Sequence, residues 1–508
     1  MNKMFAVVSV LVALSLVLSA CGGAATPAAT AKPAEPTQTP APAATQPPAA
    51  TKAPEATKAP AATTAPAATA APTKPVPTPT ATKAAAPAGA TRVEWWHAMG
   101  GTNGDAVNAI ADGFNKSQAK CFVQAIFQGS YDDELNKLKA GLQSGDVPSV
   151  IQLYDLGTRL MYDLDVIVPM QTLIDKEKFD VSDIEPNIMG YYSVGGKLYS
   201  MPFNTSNPIL YYNKDMFKAA GLDPNKPPRT FAEVKDYAAK LTKKGADGKV
   251  SQYGYSMAIY GWFFEQLLAA SNGLYLDNAN GRDALATKAT FNSPEGIAIL
   301  QWWKDMYDAG SLGNYGRPTA ETQKAFDAQQ TAMMIESTAG LRARLTAAQG
   351  KFELGTGFLP RPNEDAYKKS GTIIGGASLW IMKGRPAAEE ACAWELVKYS
   401  AAPKTQAQWH IATGYYPVNK RGYDDPDDKA WRDKYPQFQT AIDQLHMAPN
   451  IRQTQGALTG VMPQARQEVE TAIESVLLKN VSPKDALDAA AKAVTAAIEN
   501  YNKTTARK

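Results

Sequence analysis

Histidine and cysteine are scarce in this chain, with three of each among 508 residues. His97, His410 and His446 lie far apart, and no HExxH, CxxC, P-loop or GxSxG element occurs. Zinc-protease, dithiol-redox, nucleotide-hydrolysing and serine-hydrolase chemistry therefore leave no signature. Charge of one sign is also lacking. The formal net charge is +3 and the folded part carries no basic block, which argues against a nucleic-acid partner. The acids of "YDDPDDK", residues 423–429, lack the glycine and terminal glutamate of a calcium loop and read as a solvated turn. No metal or other cofactor is expected.

A spanning apolar segment is missing too. The run from Met4 to Leu18, after Lys3, is too short for a membrane helix and reads as a secretion signal. It ends in "LSAC" followed by Gly22, which resembles the lipobox of bacterial lipoproteins. The resemblance implies a signal peptide over 1–20 and a diacylated Cys21, placing the protein outside the cytoplasm on a lipid anchor. From Cys21 to Gly89 the chain is mostly Ala, Pro, Thr and Lys, without an aromatic residue and with one valine. Such a segment cannot bury a core, so residues 21–90 are expected to form a disordered tether. At about 3.1 Å per residue in polyproline II it could span up to roughly 200 Å.

About 415 residues follow, more than one core usually organises, so two lobes are expected. Strand patterns alternate with capped helices. "RVEWWHA" and "CFVQAIF" read as strands, and "DELNKLKAGLQSG" as a helix. "TFAEVKDYAAKLTKKG" opens with a capping box, Thr230 and Glu233. Ser293 with Pro294, and Ser482 with Pro483, are further helix starts. The alternation predicts an α/β architecture, and with two lobes the natural small-molecule site is the cleft between them. Cys121 sits in a strand and Cys392 in a helix; a disulfide is open to an extracytoplasmic protein, but two buried free thiols are the preferred reading.

What remains is a set of polar residues at turns beside aromatics. Tyr131 follows "QGS", Asp155 ends "VIQLY", Ser206 lies in "FNTSNP", and Ser337 follows "TAMMI". Gly376 opens "GGASLW", Tyr415 lies in "TGYYPV", and Arg466 in "MPQAR". Singly, each is ordinary turn or cap chemistry. Together with "WWHAMGG", "IQLYDLGT", "MPFNTSNPILYYNKDMFKAAGLDPNKPPRT", "IIGGASLW", "WHIATGYYPVNK" and "MPQARQEVETAIESV", they give the stretch from Val93 to about Ala490 a resemblance to a known family. It is similar to the extracellular solute-binding proteins of family 1, which serve ATP-driven importers, and within them to members that bind glycerol phosphates.

The resemblance implies a two-lobed periplasmic-binding-protein fold with a hinged central cleft. It places residues 91–204 and 335–382 in an N-lobe and 205–334 and 383–508 in a C-lobe. Cys121 and Cys392 then fall in different lobes, which supports free thiols. It implies that phosphate meets Ser206, Ser337, the Gly376 amide, Tyr415 and Arg466, that Tyr131 and Asp155 hold glycerol hydroxyls, and that Trp262 supplies an apolar wall. Exchanging Arg466 for alanine is expected to abolish binding and leave the fold intact. Asp155 stands where the family often has glutamate. Ile259 stands where the glycerol-phosphate binders carry tryptophan, implying a wider pocket that admits glycerophosphodiesters such as glycerophosphocholine. The expected partners are a small-molecule ligand, the transmembrane subunits of an ABC permease, and the membrane through the anchor, with the protein itself a monomer and not an enzyme. A sugar or oligosaccharide receptor is the alternative, with Trp95, Trp96 and Trp262 as platforms. A secreted hydrolase would have only Asp155 and Glu336 as carboxylates to work with.

Overall fold

The computed structural model describes residues 86–506. The expected signal peptide, the lipidated Cys21 and almost all of the expected tether lie outside the described residues. Two sheets organise the chain. In the first, the β-branched and aromatic run Thr91–His97 (β1) pairs in parallel with Cys121–Phe127 (β2) and with Val150–Tyr154 (β3). The long strand Gly375–Met382 (β11) lies antiparallel to β3, and its other edge carries Ile167–Val168 (β4) and Met201–Ser206 (β5).

The chain then passes through Asn207 alone into Pro208–Asn213 (β6) of the second sheet. That sheet runs Leu312–Gly313 (β8), Tyr255–Ser256 (β7), Met333–Ser337 (β9), β6 and Leu354–Gly357 (β10). Every residue of β5 and β6 is buried, because helices and strands cover both faces of the stretch between the sheets.

Local signals set the helices. Gly101–Ser117 (α1) and Tyr131–Ser144 (α2) flank the first sheet, and Ser130 caps α2 in a reciprocal box with Asp133. Phe231–Leu241 (α3) starts at the expected Thr230–Glu233 box and buries Phe231, Val234, Ala238 and Leu241. Gly261–Ala270 (α4) is buried along its whole length. Pro294–Asp308 (α5) is capped by Ser293. Ala387–Ser400 (α6) and Pro403–Thr413 (α7) follow β11, and Met462–Lys479 (α8) packs against Pro483–Thr504 (α9), capped by Ser482. No described helix is long and apolar enough to cross a membrane.

Three expectations need correction. Residues 335–382 do not travel together with the first sheet: β9 and β10 pair with β6 in the second, and the chain returns only at β11. Residues after 383 do not all join the second sheet either, since α6 packs on β1. For that reason Cys121 and Cys392 meet. They form a disulfide with Cα atoms 5.6 Å apart, fastening α6 to the start of β2 in the same layer, so the bond spans no cleft. Finally, the acidic turn is not wholly solvated. Asp425 caps a helix, while Asp428 is fully buried between His410 and Arg432.

Candidate functional site

A cavity of about 640 Å³ lies where strand ends of both sheets meet. Eight of the nine predicted site residues line it: Tyr131, Asp155, Ser206, Trp262, Ser337, Gly376, Tyr415 and Arg466. Ile259 does not. It is buried, its peptide N–H donates to the Gly316 carbonyl at 2.9 Å, and its side chain forms no part of the wall. Any widening of the cavity therefore has another source.

The backbone explains why the others converge. β3 ends just before Asp155, β5 ends at Ser206 and β9 at Ser337, while Gly376, the second residue of β11, lies opposite Thr205. Gly376 has φ +99°, and a Cβ there would sit 1.9 Å from the Asn204 carbonyl oxygen, so only glycine fits. Ser337 Oγ donates to Ser206 Oγ at 2.9 Å across the passage between the sheets. The first turn of α1 is also in the wall, through Gly101, Thr102 and Asn103. The leading N–H groups of a helix have no intrahelical acceptors, and its N-terminus favours negative charge.

Aromatic faces make up much of the rest. Tyr131 stacks on Tyr154 with ring centres 5.1 Å apart, and its hydroxyl accepts from Asn204 Nδ2 at 3.1 Å. Tyr415 stacks on Trp409 at 5.5 Å. Trp262 is buried, and its indole Nε1 has no hydrogen-bond partner among the described residues. Trp95 and Trp96 are core residues instead, with Trp95 packed edge-on against Phe203. His97 is buried, accepts from the Met99 N–H at 3.3 Å, and is held neutral by burial, which lowers its pKa to about 4.

Arg466 is the electrostatic centre. It is nearly fully buried; Nε donates to Glu265 Oε2 at 2.7 Å, and Nη2 to Asp155 Oδ2 at 2.7 Å. Asp155 also accepts from the Tyr191 hydroxyl at 3.2 Å. The carboxylate expected to hold ligand hydroxyls is thus engaged with the arginine expected to hold phosphate. The hydrogen bonds of Arg466 to the described residues run through Nε and Nη2, and none runs through Nη1. Burial pushes Glu265 up to about 7 against the pull of Arg466. Glu336, in the cavity wall, is pushed up to about 6 by burial while accepting from the Ser337 N–H and Gln323.

Glu265, Tyr154, Tyr260 and Arg317 were not anticipated as parts of the site. Glu265 did carry a signal: it is the one acid in "GWFFEQLLAA", one helical turn after Trp262, and a lone charge in so apolar a helix requires a buried partner. The others stand on turns or in strands where no local pattern distinguishes wall from core. No group of metal-ligating side chains occurs among the described residues.

Residues 109–440 match the family described as bacterial extracellular solute-binding protein. The chain is 33% identical over 430 residues to the sn-glycerol-3-phosphate-binding periplasmic protein UgpB of Pectobacterium atrosepticum, covering 84% of this chain and 95% of that one. It is 33% identical over 422 residues to UgpB of Escherichia coli, covering 82% and 94%. Among solved structures, UgpB from Mycobacterium tuberculosis in complex with glycerophosphocholine shares the fold with a TM-score of 0.69 at 20% identity, over 82% of this chain and 100% of that one. The cyclic α-maltosyl-1,6-maltose binding protein of Arthrobacter globiformis gives 0.65 at 26% identity, over 81% and 100%.

Proposed function

This chain belongs to the bacterial extracellular solute-binding proteins, and from that premise we propose that it captures a glycerol-phosphate compound in the cavity between its sheets. The ligand is sn-glycerol-3-phosphate or a glycerophosphodiester such as glycerophosphocholine. Family membership makes the protein the solute-binding component of an ABC importer, working outside the cytoplasm, and not an enzyme. The lipid anchor at Cys21 and a monomeric state belong to the proposal.

The observation that carries the reading is the set of donors left over at one end of the cavity. Arg466 Nη1 and Trp262 Nε1 have no protein acceptor among the described residues. The Ser206 and Ser337 hydroxyls bond each other and can turn toward a ligand, and the first turn of α1 adds backbone N–H groups. A phosphate takes several such donors at once, with one guanidinium as counter-charge. UgpB relatives named for sn-glycerol-3-phosphate support the assignment. Closure follows from the same placement. A ligand that bridges groups carried by the two lobes favours the closed form that docks on the permease.

A sugar ligand is the second reading. The stacked Tyr131–Tyr154 pair offers a platform, and Asp155 and Glu336 could accept from hydroxyls. Against it, Trp95 and Trp96 are buried in the core, and Asp155 is engaged with Arg466. Calorimetric titration decides between them. Saturable one-to-one heat with glycerophosphocholine or sn-glycerol-3-phosphate, and none with maltose, is expected. The reverse pattern would replace the proposal with the sugar reading.

A further inference from the structure

Arg282 is a partly buried arginine whose hydrogen bonds to the described residues all go to backbone carbonyls. Nε donates to Gly456 at 2.8 Å, Nη1 to Gly190 at 3.1 Å and Tyr191 at 3.2 Å, and Nη2 to Gln455. A guanidinium suits this task because its planar fork sends several donors outward from one rigid group. Burial lowers its pKa to about 10, so it is still charged at neutral pH. Gly190 and Tyr191 belong to the last turn of the short helix Pro186–Tyr192, where carbonyls lack intrahelical partners and favour a cation. That helix packs on β5. Arg282 follows a turn fastened elsewhere: the Asn280 carbonyl accepts from the Leu458 N–H at 2.8 Å, and Asn280 Nδ2 donates to the Arg452 carbonyl at 3.2 Å.

Tyr191 stands between these pieces. The Arg282 guanidinium lies 5.2 Å from the centre of its ring, within reach of a cation–π attraction. Gly456, at φ +72°, lies against the ring, and a Cβ there would come within 2.4 Å of Tyr191 Cε2. The Tyr191 hydroxyl donates to Asp155 Oδ2, the same oxygen that accepts from Arg466 Nη2. Two donors converging on one oxygen fix the rotation of a carboxylate. Asp155 lines the cavity, whereas Tyr191 and Arg282 stand behind its wall. We propose that Arg282 is a positioning residue for ligand capture: by seating the Tyr191 ring against Gly456 it holds the Asp155 carboxylate where it can accept from a ligand hydroxyl. This rests on the reading above, in which Asp155 takes the hydroxyls of a glycerol phosphate. Without the fork, the helix end loses its cation and the ring loses one supporting face. The hydroxyl is then free to leave Oδ2, and Asp155 follows Arg466 alone.

The test is a double-mutant cycle read by calorimetric titration with sn-glycerol-3-phosphate and with glycerophosphocholine. Wild type is set beside Arg282→Lys, which keeps the charge and loses the fork, Tyr191→Phe, and the two combined. Stoichiometry reports the folded fraction, and the dissociation constant reports the site. Each single variant should bind about tenfold more weakly, the scale of one hydrogen bond to a charged group, and the double variant no more weakly than Tyr191→Phe. A purely structural arginine would change the stoichiometry and leave the dissociation constant alone. Additive losses, or an Arg282→Lys affinity equal to wild type, overturn the positioning role and leave the ligand reading standing. If Arg282→Lys does not fold, Arg282→Gln, which keeps an amide donor, takes its place in the cycle with the same outcomes. Absence of heat from both phosphate compounds in folded wild type overturns the glycerol-phosphate reading and this inference with it.

Discussion

Arg466 Nη2 stands 2.7 Å from Asp155 Oδ2, joining residues 311 positions apart at the wall of the cleft. With Glu265 on the other side of the guanidinium, the three groups form a buried cluster in which one positive charge serves two carboxyl groups. Ligand recognition and stability are therefore coupled at one side chain.

Exchange of Arg466 for alanine does more than remove a ligand contact. It strands Asp155 and Glu265 without their cation, and breaking a buried pair in this way costs about 3–5 kcal/mol. The structure thus revises the expectation that the fold tolerates this change. Urea denaturation should show the loss. Adding Asp155→Asn and Glu265→Gln should return most of the stability while ligand binding stays absent. A single variant as stable as wild type would mean the cluster is far better hydrated than its burial implies.

The raised carboxyl groups give a sign for the pH dependence. Glu336 and Glu265 titrate near 6 and 7 in the folded protein, above the ordinary value of 4.5. Their contribution to stability is fully present below about 4.5 and is lost as pH rises through the folded values, at up to about 1.4 kcal/mol per pH unit for each group. Unfolding free energies measured at pH 5 and pH 7.5 should fall over this window in wild type. The fall should shrink in Glu265→Gln, and an identical profile in that variant would remove Glu265 as a source.

The Cys121–Cys392 bond closes a loop with a sequence separation of 271 within one layer of the fold. Long loops lose the most unfolded-state entropy on cross-linking, and removal of a native disulfide typically costs about 2–5 kcal/mol. Mass spectrometry after alkylation without reductant should find both cysteines blocked. Reductant, or the pair Cys121→Ala and Cys392→Ala, should lower the melting temperature yet leave ligand affinity unchanged, because the bond does not cross the cleft.

Gly376 admits no side chain. Gly376→Ala combines a positive φ with a Cβ 1.9 Å from the Asn204 carbonyl oxygen, so β11 must shift against β5. A loss on the order of 1–3 kcal/mol follows from the backbone alone. Binding should weaken as well, since Ser206 and Asn204 sit on the strand displaced. Gly384→Ala is the matched control: its φ is also positive, but nothing crowds its Cβ. Equal losses in the two variants would show that packing against β5 is unimportant.

Features that depend on neighbours a few residues away were legible in the chain itself. The Thr230–Glu233 box, the Ser293 and Ser482 caps and the strand character of "CFVQAIF" were of this kind, because capping and periodicity act within one turn or one pleat. The resemblance of extended motifs carried the eight wall residues, but not their bonding. Partners hundreds of positions apart remained for the tertiary structure to choose. It paired Asp155 with Arg466, joined Cys121 to Cys392, sent β10 to the second sheet, and turned Ile259 away from the cavity. The physical reason is that strand order and buried charge pairing are settled by the packing of the whole chain, where the free energy of one contact depends on all the others that exclude water from it.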